Sequence, residues 1–274
     1  MNTVPPVKSR FKRRAFWVRM VSALILIPVT LTCAILGGIW FILLVALASA
    51  AMGREWVRMS DREAGGRAYI AAMLGLMVPI YFANGGQWGW ALLSLFLVAF
   101  IAAIERAGRG EPWRAVGGLL YIGLAVLSIL YVRSGPDGLL RLLYLFAVVW
   151  AADSAAYIFG SQMRGPKLWP AISPNKTWSG FAAGLVAGTL AGSLTFYFAG
   201  YGIAAGLVIL SVVLAVISVA GDLLSSWLKR RFGVKDTGTS IPGHGGVLDR
   251  LDSILAAGMA LAAFMLLFAG NAVL

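Results

Sequence analysis

The chain has 274 residues, 60% of them hydrophobic and only 12% charged, with a net charge of +12. A soluble domain carries about 25% charged residues, so this composition excludes an ordinary water-facing globule and makes lipid the expected solvent. The basic residues sit in short clusters between apolar runs, which is the positive-inside pattern rather than a nucleic-acid surface, and the lone cysteine, Cys33, excludes an intramolecular disulfide and a Cys-based metal site.

A basic segment (Lys8, Arg10, Lys12, Arg13, Arg14, Arg19) precedes an uncharged stretch of 34 residues from Met20 to Gly53. As one helix it would run roughly 51 Å, too long for a hydrocarbon core of about 30 Å. A hairpin of two short spans turning near Gly37 and Gly38 is therefore expected, with Trp17 and the stem of Arg19 extending the first. The Ala48-Ser49-Ala50 triplet resembles a signal-peptide cleavage site, but the apolar region is far longer than the roughly 7 to 15 residues of a signal sequence.

Further spans are expected over Tyr69–Asn84, Trp88–Ile104, Trp113–Val132, Leu139–Phe159, Gly180–Ala199, Ile203–Trp227 and Ser253–Ala269, nine in all with the hairpin. The fold class is an all-α transmembrane bundle. Glycines within these runs suit close helix packing in lipid. With the N-terminus in the cytoplasm, 21 of the 23 Lys and Arg fall on that side, and only Arg133 and Arg141 on the other. The expected organisation is a cytoplasmic tail over residues 1–19 and one membrane domain over 20–274, with cytoplasmic loops at 160–179 and 229–252.

Of eleven acidic residues, only Asp153 and Asp222 fall well inside these spans. A carboxylate at the bilayer centre costs about 2.5 to 3.5 kcal/mol, so each is a candidate functional group, a polar contact between helices being the alternative. Asp222 is followed by Ser225, Ser226 and Lys229 at helical spacing, near one face that points to a basic loop. That loop carries Arg230, Arg231, Lys235, Asp236, then Gly243-His244-Gly245-Gly246, then Asp249-Arg250-Leu251-Asp252, with Asp249 and Asp252 at i and i+3.

Three carboxylates, Asp222, Asp249 and Asp252, can converge on a hard cation, and oxygen ligands beside phosphate favour magnesium over zinc. Lys229, Arg230, Lys235 and Arg250 can bind phosphate oxygens, and backbone N–H groups of the glycine-rich turn at Gly245 and Gly246 can approach one closely. Lys229, Arg230 and Arg231 also obey the positive-inside rule, and His244 reads equally as a base, a phosphate contact or an exposed loop residue. In the other loop, Ser173, Lys176 and Thr177 stand before a helix that Thr177 or Ser179 would cap, either a triphosphate cradle or an interfacial turn.

Residues Ser226-Trp227-Leu228-Lys229-Arg230, Lys235-Asp236 and His244-Gly245-Gly246-Val247-Leu248-Asp249-Arg250-Leu251-Asp252 together resemble the signature of phosphatidate cytidylyltransferases, over 27 residues without a gap. Ser173-Pro174, Lys176-Thr177-Trp178 and Asp153 with Ala156-Tyr157 are similar to further segments of that family. Asn175, Ser179 and Ser161 depart from it. The resemblance implies a multi-span dimer of the bacterial inner membrane with a polar cavity open to the cytoplasm. It further implies CTP and phosphatidic acid as substrates, a site built from Asp222, Asp249, Lys229 and Arg230, and substrate contacts from Ser173, Lys176, Thr177, Ser226, Lys235, His244, Gly245, Gly246, Arg250 and Asp153. Magnesium or a similar ion would sit on Asp222, Asp249 and Asp252, a second metal ion being open. Three other classes share parts of this pattern: a transporter of phosphorylated solutes, a CTP-using lipid kinase and a membrane scaffold.

Overall fold

The computed structural model describes residues 7–268, other than 62, 109, 164 and 244. Helix α1 (Val7–Leu36) begins within the basic segment and leads through Gly37 to α2 (Gly38–Ser60). The expected hairpin is there because Gly37 and Gly38 both hold positive φ, 63° and 47°, a region that suits glycine. Arg133 closes the turn by donating from Nε and Nη2 to the Ala34 carbonyl at 3.1 and 3.0 Å, which satisfies a carbonyl at the exposed end of α1.

The third span is split into α3 (Gly66–Gly75) and α4 (Met77–Asn84). Pro79 lies four residues past Gly75, so its missing N–H and its ring both act at that carbonyl and break the ladder there. Helices α5 (Trp88–Arg106), α6 (Trp113–Arg133) and α7 (Gly138–Met163) follow. A short antiparallel pair, β1 (Lys167–Trp169) and β2 (Ser173–Thr177), occupies the first of the two expected loops, and α8 (Trp178–Phe198), α9 (Ala205–Arg231) and α10 (Leu248–Leu267) complete the described bundle.

Eight of these segments, with α3 and α4 counted as one, are long and apolar enough to cross a membrane, and Met20–Leu36 adds a shorter apolar stretch. Helix α6 is the hub: 56% of its apolar window is buried, more than in any of the other seven. Elsewhere large apolar side chains such as Leu47, Phe100, Ile104, Val186 and Ile209 stand exposed, which is tolerable where the surrounding medium is hydrocarbon. The chain is an integral, multi-pass membrane protein.

Two close helix contacts set up the interior. Along α8, Gly180, Gly184 and Gly188 face α7 so tightly that a Cβ at Gly184 would stand 2.8 Å from the Ala152 carbonyl oxygen and one at Gly188 3.0 Å from that of Val148. At the α9–α10 crossing, a Cβ on Gly221 would lie 2.5 Å from Ala256 Cβ and 2.8 Å from the Asp252 carbonyl oxygen. Small residues let the backbones approach, and the second contact brings the helix that carries Asp222 against the one that carries Asp252.

Candidate active site

The ends of α7 and α9 and the starts of α8 and α10 gather at one end of the bundle. Asp153 on α7, Asp222 on α9 and Asp252 on α10 lie within electrostatic reach of one another there. Lys176, at the end of β2, puts its Nζ 2.7 Å from Asp222 Oδ2, and Ser226, one turn further along α9, donates to Asp222 Oδ1 at 3.3 Å. Arg250 acts on Asp153 electrostatically, and Ser253 lies close to it. Asp252 is buried, its Oδ1 accepting from the Ser253 amide at 2.8 Å.

Asp249 is engaged in a second cluster. Lys229 donates to its Oδ1 at 2.7 Å, while Oδ2 accepts from Thr237 N at 2.9 Å, Thr237 Oγ1 at 3.0 Å and Gly246 N at 3.1 Å. The glycine-rich turn thus directs one of its amides at a carboxylate. Lys229 also acts on Asp252, so it joins the two clusters.

The rest of the expected residues divide by position. Thr177 is buried and caps α8, its Oγ1 accepting from Gly180 N at 3.1 Å. That cap is possible because β2 delivers Thr177 in extended conformation, and the pair is closed by Trp178 N donating to Pro166 O at 3.0 Å. Ser173 begins β2, opposite Trp169. Arg230 is exposed and folds back on the Val234 carbonyl at 3.4 Å, and Lys235 is exposed on the loop. Gly245 takes a positive φ of 88° with its Cα facing Asp249. His244 lies outside the described residues.

One residue absent from the sequence-based set is central. Glu55, near the end of α2, is 3% exposed and accepts four hydrogen bonds: Thr237 Oγ1 at 3.1 Å, Ser240 Oγ at 2.5 Å, Val247 N at 2.9 Å and Leu248 N at 2.9 Å. The signal available was an acidic residue two positions past the expected end of an apolar span, in a helix with no breaker before Asp61.

Asp153, Asp222 and Asp252 are hard oxygen donors of the kind a divalent cation takes, and in that respect the site fits one. Among the described residues no three Asp, Glu, His or Cys side chains stand together at ligand distance. Asp222 is instead drawn to the Lys176 ammonium. Chemically, this end of the bundle offers carboxylates, three cations and hydroxyls near one another, an arrangement suited to binding phosphates and shielding their charge.

The cytidylyltransferase family model matches residues 17–268. The chain is 39% identical to a phosphatidate cytidylyltransferase of Brucella suis biovar 1 over 259 residues, which is 92% of this chain and 93% of that protein. It is 33% identical to a phosphatidate cytidylyltransferase of Staphylococcus haemolyticus over 247 residues, 87% of this chain and 94% of that protein.

Proposed function

As the chain belongs to the cytidylyltransferase family, we propose that it transfers the cytidylyl group of CTP to phosphatidic acid, giving CDP-diacylglycerol and pyrophosphate. A phosphate oxygen of phosphatidic acid attacks the α-phosphorus of CTP, the new P–O bond forms, and the bond to the β-phosphate breaks with its electron pair leaving on pyrophosphate. A phosphate monoester is already an anion near neutral pH, so no protein nucleophile is needed. The task of the site is to hold two anions together in line.

The observation that carries the reading is the meeting of Asp153, Asp222 and Asp252 with Lys176, Lys229 and Arg250 at one end of a membrane bundle, in a chain related to phosphatidate cytidylyltransferases over nine-tenths of its length. Lys176, Lys229 and Arg250 would contact triphosphate and lipid phosphate oxygens, with Arg230, Lys235 and Ser173 at the rim. Ser226 orients Asp222, and Asp249 fixes Lys229 and the glycine-rich turn. Asp222 and Asp252, with Asp153 beside them, would hold magnesium, which when bound supplies positive charge to the phosphates. The basic residues at these helix ends support a site at the cytoplasmic face, where CTP would arrive from water and the acyl chains of the acceptor would remain in the leaflet.

The test is direct. Purified protein in detergent with labelled CTP, phosphatidic acid and magnesium should form CDP-lipid and pyrophosphate. A lipid kinase would leave CDP and a phosphorylated alcohol, and a transporter would leave CTP intact. Asp222→Ala should lower turnover at least 1,000-fold (about 4 kcal/mol of transition-state stabilisation) while inserting normally. Turnover within tenfold of the parent would remove Asp222 from the mechanism.

A further inference from the structure

Helix α10 carries Asp249, Arg250 and Asp252 within its first turn and a half, yet its N-cap is Val247, whose side chain cannot accept a hydrogen bond. The first amides of the helix therefore need a partner from elsewhere. Glu55 of α2 supplies it: its two oxygens take the Val247 and Leu248 amides, and at the same time the hydroxyls of Thr237 and Ser240 on the loop that precedes the helix. A carboxylate also suits the positive end of the helix dipole.

The same side chain accounts for two of the loop's glycines. A Cβ on Gly238 would lie 2.9 Å from Glu55 Oε1, and one on Gly246 would lie 2.6 Å from Oε2, so the chain wraps around the carboxylate where no side chain could fit. Thr237 Oγ1 stands between Glu55 Oε2 and Asp249 Oδ2, at 3.1 and 3.0 Å. A continuous line of contacts thus runs from Glu55 through Thr237 to Asp249 and on to Lys229.

We infer that Glu55 is the positioning residue of the cytidylyl-transfer site, a fixed carboxylate on α2 around which the loop from Thr237 to Leu248 folds and which sets where Asp249, Arg250 and Asp252 stand. The inference rests on the functional reading above. Glu55 itself touches neither substrate. It acts through the loop, because replacing either oxygen by an amide NH2 sets a donor against one backbone N–H and forces the hydroxyl on the same oxygen to turn from donor to acceptor.

Glu55→Gln is the test, made on the full-length protein in detergent with CTP and phosphatidic acid. The expected result is a KM for CTP raised at least fivefold and a kcat lowered at least tenfold per folded molecule, with faster amide hydrogen exchange at Val247 and Leu248. A role confined to overall folding would lower the amount of active enzyme and leave the KM for CTP where it was. That outcome, or parental kinetics, would overturn the inference. If Glu55→Gln does not fold, Thr237→Val keeps the carboxylate and removes the hydroxyl between Glu55 and Asp249. It should raise the KM for CTP at least threefold, and an unmoved KM there is equally fatal. A parent protein that forms no CDP-lipid refutes the functional reading itself, a failure that looks different from active parent and unaffected variant.

Discussion

Replacing Lys229 by Met tests the cluster around Asp249 and gives a stability change that the geometry fixes. Lys229 and Asp249 have side chains 11% and 4% exposed, and their charged atoms are 2.7 Å apart. The other three hydrogen bonds to Asp249 all end on Oδ2, so removing the ammonium strips Oδ1 of its lysine donor. Breaking a buried ion pair from one side costs about 3–5 kcal/mol. The lower end applies to this pair, because Oδ2 keeps its donors and the carboxylate is only half stripped. At about 2–4 °C per kcal/mol for a chain of this size, a loss of about 3 kcal/mol lowers the melting temperature by roughly 6–12 °C. The assay is thermal unfolding of the detergent-solubilised protein followed by the fluorescence of its 10 tryptophans. The double variant Lys229→Met, Asp249→Asn removes the stranded charge at Asp249 but still leaves Asp252 without Lys229, so it should regain part of the lost stability and still fail to turn over. A single variant that melts within about 2 °C of the parent, or a double variant no more stable than the single one, would refute the claim that this pair holds the loop.

Two further outcomes follow from the packing and the charge pattern. Gly184→Leu puts a side chain where a Cβ alone would be 2.8 Å from the Ala152 carbonyl oxygen, so α7 and α8 must separate. Overpacking of this kind costs about 1–3 kcal/mol, and the melting temperature should fall accordingly, whereas Val186→Leu on the exposed face of the same helix should leave it unchanged. In a Cys33→Ala background, Ser134→Cys at the end of α6 should react with a membrane-impermeant maleimide in intact bacterial cells, and Thr239→Cys in the loop before α10 should react only after permeabilisation. The reverse labelling would place the N-terminus and the basic loops outside the cytoplasm and refute the proposed orientation.

The spans and the α1–α2 hairpin were legible in the sequence because both follow from local rules: hydrocarbon thickness limits helix length, and a Gly-Gly pair is the cheapest place to reverse the chain. The grouping of Asp222, Ser226 and Lys229 on one face of α9 was legible for the same reason, through helical periodicity. What could not be read was which loop residue meets which helix. Lys176 and Asp222 each stand out alone, yet their contact depends on how β2 is laid across α9. Glu55 escapes a sequence reading because its hydrogen-bonding partners lie 182 to 193 residues away, and nothing near Gly53 announces them. The split at Leu76 is present in the sequence as Pro79, but an apolar run sufficient to cross the bilayer hides it.

The pairing of Lys176 with Asp222 and of Lys229 with Asp249, both at 2.7 Å, has a consequence for how polyanions enter such a site. Each lysine that a triphosphate would recruit is already neutralising a carboxylate, and breaking the buried Lys229–Asp249 pair costs more than breaking the part-exposed Lys176–Asp222 pair. Asp249 can release Lys229 in part, since its second oxygen keeps the Thr237 and Gly246 amides and the Thr237 hydroxyl, whose one proton it shares with Glu55. Asp222 has a smaller reserve: among the described residues its side chain has, besides Lys176, the hydroxyl of Ser226 at 3.3 Å. Lys176 would turn to a phosphate most readily when another positive charge takes its place beside Asp222. Under the proposed function, Asp222, with Asp153 and Asp252 close by, would be the carboxylate where a cation brought in with the nucleotide gains most, and the strength of the Lys176–Asp222 contact would set how far nucleotide and cation arrive together.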